Sequence, residues 1–137
     1  MNWIERATHT LLLESQAIAH LVPQLDESFE AIGKLILKIE GRVIMTGIGK
    51  SAIIAQKLVA TFNSTGTPAI FMHAADAIHG DLGLIQNDDL VLCISKSGNS
   101  PEIKALTPLI KSRAFPLIGM VGNRSSHLAQ HADYILD

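Results

Sequence analysis

From Arg42 onward the chain alternates short aliphatic runs with helix-patterned stretches, and no other feature narrows its possible folds as much. Val43–Thr46 reads as a strand, Gly47–Gly49 as a turn and Lys50–Asn63 as a helix. Ala69–Met72 reads as a second strand, followed by a short helix near Ala74–His79. Asp89–Ser95 is a third strand with Pro101–Ser112 as its helix, and Pro116–Val121 a fourth with a helix around Ser125–His131. Asp133–Leu136 is a fifth strand. Continuous aliphatic runs suit strands covered on both faces. Regular strand–helix alternation implies parallel strands joined by right-handed crossovers. The expected class is therefore α/β, a three-layer αβα arrangement around a five-stranded parallel sheet.

The order most often seen for five such strands is 2-1-3-4-5. There the first and third strands are neighbours whose crossovers leave on opposite faces, which opens a crevice at their C-terminal ends. Two polar, glycine-containing loops, Gly47–Ser51 and Ser95–Ser100, fall at those two ends. Residues 1–40 read as two helices of the same domain. Ile4, Ala7, Leu11, Leu12, Ile18 and Leu21 recur at helical spacing in the first, with Pro23 helping to end it. In the second, Asp26 is the N-cap, Phe29, Ile32, Leu35, Ile36 and Ile39 form the apolar face, and Gly41 is the closing residue. Either helix suits covering the sheet or pairing with a second subunit.

Composition removes several function classes. A net charge of -2 gives no general field to attract nucleic acid, and one Trp, one Tyr and four Phe give few stacking platforms. Cys93 is the single cysteine and sits inside the apolar run Leu90–Ile94, which predicts an inert buried thiol and no disulfide or thiolate metal cluster. No run of about 18 apolar residues exists to span a membrane. Glu5, Arg6 and Glu14 interrupt the N-terminal apolar pattern, unlike a secretory signal. The expected compartment is the cytoplasm.

Gly47-Ile48-Gly49-Lys50-Ser51 is not a nucleotide P-loop, because the position that needs the first glycine is Ile44, inside the strand. It is a poor dinucleotide fingerprint, since Ala69–Met72 stands where an acidic ribose partner is expected. What remains is a short turn aiming Lys50 and Ser51 at a helix N-terminus, suited to one phosphate or one developing oxyanion. An ordinary turn with a solvated lysine is the bland alternative. Ser95-Lys96-Ser97-Gly98-Asn99-Ser100-Pro101-Glu102 leaves its strand with three hydroxyls in six residues. Gly98 lets the backbone turn back and Pro101 fits the first helical turn. Hydroxyls and successive N–H groups at a helix start make an anion nest. The alternative is a capping cluster, with Ser100 as N-cap and no ligand.

The run Ile94–Glu102 resembles the Ser-x-Ser-Gly-x-Ser-x-Glu signature of the sugar isomerase (SIS) family. Gly47–Ser51, Ser64–Pro68 and His79–Gly83 resemble, more narrowly, its arabinose 5-phosphate isomerases. The resemblance runs from about Gly41 to Asp137 with four motifs in order. It implies a flavodoxin-like SIS fold over residues 41–137 and interconversion of D-ribulose 5-phosphate and D-arabinose 5-phosphate, which supplies Kdo for lipopolysaccharide or capsule. Carried over by motif, Ser95, Ser97 and Ser100 with Ser51 hold the phosphate, Gly49, Gly98 and Asn99 complete the binding loops, and Gly66 and Thr67 contact substrate. Lys50, Glu102 and His79 match catalytic or substrate-contacting positions. His73 matches a position linked to an inhibitory divalent metal. No cofactor is expected, and the implied partners are a small phosphorylated sugar and further copies of the chain.

Aldose–ketose exchange moves a proton between C1 and C2 through an enediol and needs a base, an acid and a stabilised oxyanion. Glu102, one turn into a helix that begins at the phosphate loop, suits the acid–base role; Lys50 suits the enediolate charge; His79 suits ring opening or carbonyl polarisation. His127 and His131 read only as a polar helix face. Family members continue past the last strand with a helical segment carrying a second catalytic Glu and a catalytic His, and longer ones add tandem CBS domains. The sequence ends at Asp137, so part of the active site is expected outside it. A non-catalytic sugar-phosphate sensor is the alternative function.

Overall fold

The computed structural model describes residues 2–137. Five parallel strands, β1 (Val43–Gly47), β2 (Ala69–His73), β3 (Leu90–Ser95), β4 (Leu117–Val121) and β5 (Tyr134–Leu136), lie in the order β2-β1-β3-β4-β5. This is the expected order, and each strand lies within a residue of its expected bounds. The helices are α1 (Trp3–Ala19), α2 (Glu27–Lys38), α3 (Lys50–Ser64), α4 (Ala74–Ala77), α5 (Pro101–Ser112) and α6 (His127–His131). Short 3-10 turns occupy Val22–Gln24, where Pro23 sits, and Asp81–Leu84. The helix expected over Ala74–His79 is thus split, α4 stopping at Ala77 with Ile78 as its C-cap.

Strand side chains alternate between two cores. Ile44, Val91, Cys93, Leu117 and Val121 face α4, α5 and α6 and pack with Ala77, Ile103, Leu106, Ile110 and Leu128. Val43, Met45, Leu92, Ile94 and Ile118 face the opposite way, toward Ile32 of α2 and Ala55 of α3. Fully burying one such aliphatic side chain contributes about 1.5–3 kcal/mol. β1 therefore hands the chain to one layer through α3, while β3 hands it to the other through α5. Cys93 is buried as expected, and desolvation pushes its thiol up to about 12. Among the described residues, no helix is long and apolar enough to cross a membrane.

Two details of the N-terminal region depart from expectation. Gly41 does not close α2, which ends at Lys38 with extended Ile39 as its cap. Gly41 instead lies against the backbone of Asp88 and Asp89, where any Cβ would collide with the Asp88 carbonyl. Asp26 does cap α2, accepting from the N–H groups of Ser28 and Phe29. That helix covers the sheet, whereas α1 buries none of its residues; Trp3, Ile4, Leu11 and Ile18 are each more than 60% exposed.

The start of β1 is fixed to the segment before β3 by Asp89. Its buried carboxylate accepts from the Arg42 backbone N–H at 2.8 Å, the guanidinium at 3.1 and 2.6 Å, and the Gln86 N–H at 2.8 Å. Burial alone would raise this carboxyl, but the Arg42 side chain, the two backbone N–H groups and the guanidinium charge together hold it below the ordinary carboxylate range. Asp89→Ala would leave those donors without their acceptor and is expected to destabilise the fold by about 3 kcal/mol. A folded pKa below the unfolded value means that the contribution is whole above about pH 3.9 and is lost as pH falls toward the depressed value. Urea titrations should show the gap between wild type and variant shrinking from pH 6 to pH 3; an unchanged gap would contradict the assignment.

Candidate functional site

Gly47, the last residue of β1, pairs with Ile94 of β3, so the loops that follow them leave the sheet side by side. Between them lies a cleft of about 490 Å³. Its walls are Ile48 and Ser51 from the β1–α3 turn, Ser95, Lys96, Ser97 and Ser100 from the β3–α5 loop, and Gly122 and Asn123 after β4. The two loops picked out from the sequence do converge. Lys96, Gly122 and Asn123 were not anticipated. A signal for the last two existed, because the order 2-1-3-4-5 places the loop after β4 beside the loop after β3.

The β1–α3 turn passes through Gly49 at φ +58, and α3 begins at Lys50. α5 begins at Pro101, directly after Ser100. Two helix N-termini therefore flank one cleft, each offering N–H groups without an intrahelical acceptor and the positive end of a dipole. Inside the serine loop, Ser95 Oγ is buried and accepts from the Gly98 N–H at 3.1 Å, and Ser97 Oγ accepts from the Asn99 N–H at 3.3 Å. Ser100 behaves differently. It holds the N-cap position of α5, yet its hydroxyl makes no capping bond. That oxygen is buried and has no partner in the protein. The capping alternative therefore fails at this residue, and an unpaired polar group lines a cleft built for an anion.

The other expected residues are placed as follows. Lys50 and Glu102 open α3 and α5, exposed and half-buried respectively. Gly98 is buried at φ +63, and Asn99 bonds to the neighbouring chain segment; neither lines the cleft. His73 ends β2 in register with Gly47, on the cleft's edge of the sheet, and His79 follows α4 on the surface. Gly66 and Thr67 precede β2 and so lie at the opposite edge, away from the cleft within one chain. His73 Nδ1 is buried without a hydrogen bond and lies 3.9 Å from Asp76. No group of three or more His, Cys, Asp or Glu suited to a metal ion exists among the described residues, so the site at His73 is incomplete in this chain.

The SIS domain profile matches residues 36–137. This chain belongs to the SIS domain family. It is 44% identical over its whole length to a Haemophilus influenzae protein named "Probable arabinose 5-phosphate isomerase", of which it covers 41%, and 43% identical over its whole length to arabinose 5-phosphate isomerase KdsD of Pseudomonas aeruginosa, of which it covers 42%. The chain thus spans about two fifths of the length of these curated relatives. An SIS protein from E. coli CFT073, solved in complex with arabinose 5-phosphate, superposes with a TM-score of 0.93 at 38% identity, over 100% of this chain and 74% of that one.

Removing an unpaired buried hydroxyl relieves the protein of an unsatisfied group. Ser100→Ala is therefore expected to leave thermal stability unchanged or slightly raised, while weakening binding of a pentose 5-phosphate about tenfold. Calorimetric titration and thermal melts on the same samples measure both. A destabilised variant with unaltered affinity would assign the hydroxyl to the fold and not to the ligand.

Proposed function

We propose that this chain is the SIS domain of an arabinose 5-phosphate isomerase, interconverting D-ribulose 5-phosphate and D-arabinose 5-phosphate through an enediol. The observation that carries this reading is the cleft itself. Two helix N-termini and the Ser51, Ser97 and Ser100 hydroxyls converge there, with an acid–base candidate, Glu102, in the first turn of one helix. Whole-length identity above 40% to proteins named for this activity supports the same reading.

In the proposed reaction the phosphate anchors one end of the sugar and the proton moves at the other. In the ketose-to-aldose direction a base takes a proton from C1, giving an enediolate with charge on O2. Protonation at C2 and transfer of a proton from O1 to O2 then yield the aldehyde. Electrons and protons balance within the substrate, so no oxidant or reductant enters. Glu102 is proposed to carry the proton, Lys50 to offset the enediolate charge, and His79 to open the ring or polarise the carbonyl. Ser95 shapes the loop through its bond to Gly98. Residues outside this chain complete the catalytic set, and Gly66 and Thr67, at the far edge of the sheet, are proposed to contact substrate from another copy. His73 is proposed as one ligand of an inhibitory metal site. The proposed setting is the cytoplasm, consistent with a free buried thiol, and the proposed pathway role is pentose supply for Kdo.

A homo-oligomer accompanies this reading. α1 displays Trp3, Ile4, Leu11, Leu12 and Ile18 to solvent, and contiguous apolar surface of that kind marks an interface. Sedimentation at micromolar concentration should show a dimer or tetramer, and Leu11→Glu combined with Ile18→Glu should shift it to monomer; a monomeric wild type would contradict this part.

Glu102→Gln keeps the side chain's shape and removes the base. It should lower kcat by about 10²–10⁴ while changing substrate affinity little, measured as conversion of ribulose 5-phosphate with this chain and with a full-length relative. Equal loss in kcat and affinity would count against the role of Glu102. Binding without turnover in both proteins would favour a phosphosugar sensor.

A further inference from the structure

The serine loop is braced from outside by the segment between β4 and the end of α6. The Gly122 N–H donates to the Lys96 carbonyl at 3.0 Å, and the Leu128 N–H to the Gly98 carbonyl at 3.0 Å. Ser126 fills the space where a Cβ on Gly98 would stand, so only a glycine lets the two segments meet this closely. Asn99 completes the brace. Its Oδ1 accepts from the His127 backbone N–H at 3.0 Å, and its Nδ2 donates to the Ser97 carbonyl at 3.1 Å. α6 is only five residues long, and its exposed first-turn donors need acceptors: Ser126 Oγ takes the Ala129 N–H, and the loop residue Asn99 takes that of His127. Meanwhile Asn99 forms no part of the cleft wall.

We infer that Asn99 is a positioning residue: by tying the loop to the first N–H of α6 it holds the Ser97 and Ser100 hydroxyls where a phosphate needs them, without touching the ligand itself. This rests on the phosphosugar reading of the cleft. Releasing the loop would make each binding event order several residues again, a cost that appears as lost affinity. Ser97 is tied most directly, since its carbonyl and its hydroxyl both bond to Asn99.

The link can be cut from either side. Asn99→Ala removes the acceptor. His127→Pro removes the donor at the first residue of a helix, where proline is tolerated. Ser126 already has φ -73 and ψ 161, the extended conformation that a residue before proline adopts. His127→Ala keeps the N–H and serves as control. Titration with inorganic phosphate and with ribulose 5-phosphate should show both ligands bound about tenfold more weakly by Asn99→Ala and by His127→Pro. The double variant should be no weaker than the weaker single one, and His127→Ala should bind like wild type. If Asn99→Ala weakens binding while His127→Pro does not, or if the two losses add, Asn99 is a direct ligand and the inference is overturned. Should His127→Pro fail to fold, amide exchange at His127 reports the same link: faster exchange with weaker binding in Asn99→Ala is expected, and weaker binding with unchanged exchange contradicts it. A wild type that binds neither ligand overturns the phosphosugar reading together with the brace.

Discussion

Parallel pairing of β1 with β3 sets the geometry on which every other feature of the site depends. Their register, Val43 with Leu90 through Gly47 with Ile94, brings the two strand ends level. Because β1 leads to α3 on one face and β3 to α5 on the other, the loops separate as they leave, and the gap between them becomes the cleft. The anchor of Arg42 to Asp89 fixes the opposite ends of this pair. A one-residue slip would exchange the two faces of a strand and send Ser95 and Ile94 the wrong way. Aliphatic side chains filling both faces make such a slip costly.

On this frame the site is assembled from groups that the fold leaves unused. Helix N-termini carry donors with no internal acceptor, and a phosphate supplies acceptors for two such ends at once. Ser100 shows the logic at one atom. Its place at the start of α5 would normally use the hydroxyl as a cap, yet the oxygen is left buried and unpaired. Ser95 and Ser97, by contrast, bond within the loop and give it shape. The three hydroxyls thus divide between building the loop and facing the cleft. α6 and Asn99 add an outer support that makes the loop part of the sheet's scaffold.

Much of this was legible in the amino-acid sequence, for physical reasons. Aliphatic runs broken by helical periods dictate a parallel sheet, and the polar loops at Gly47–Ser51 and Ser95–Ser100 mark its functional edge. The same alternation, followed one strand further, leads to Gly122 and Asn123. Other features depend on atoms far apart in the chain. Nothing local distinguishes Gly41 as a close-contact residue from Gly41 as a helix stop; its neighbour is Asp88. Asn99 looks like one more polar loop residue until His127 is seen against it, and the His127–His131 pair, stacked at 4.2 Å, is more than a polar face. The apolar pattern of α1 calls for a partner that the single chain does not supply.

A crystal structure of this chain soaked with arabinose 5-phosphate tests the central claim most directly. The account predicts the phosphate seated between the start of α3 and the start of α5, within hydrogen-bonding distance of Ser51, Ser97 and Ser100, with the sugar's C1–C2 end toward Glu102. A phosphate lodged at any other edge of the sheet, with Ser100 Oγ still unpartnered, would contradict it.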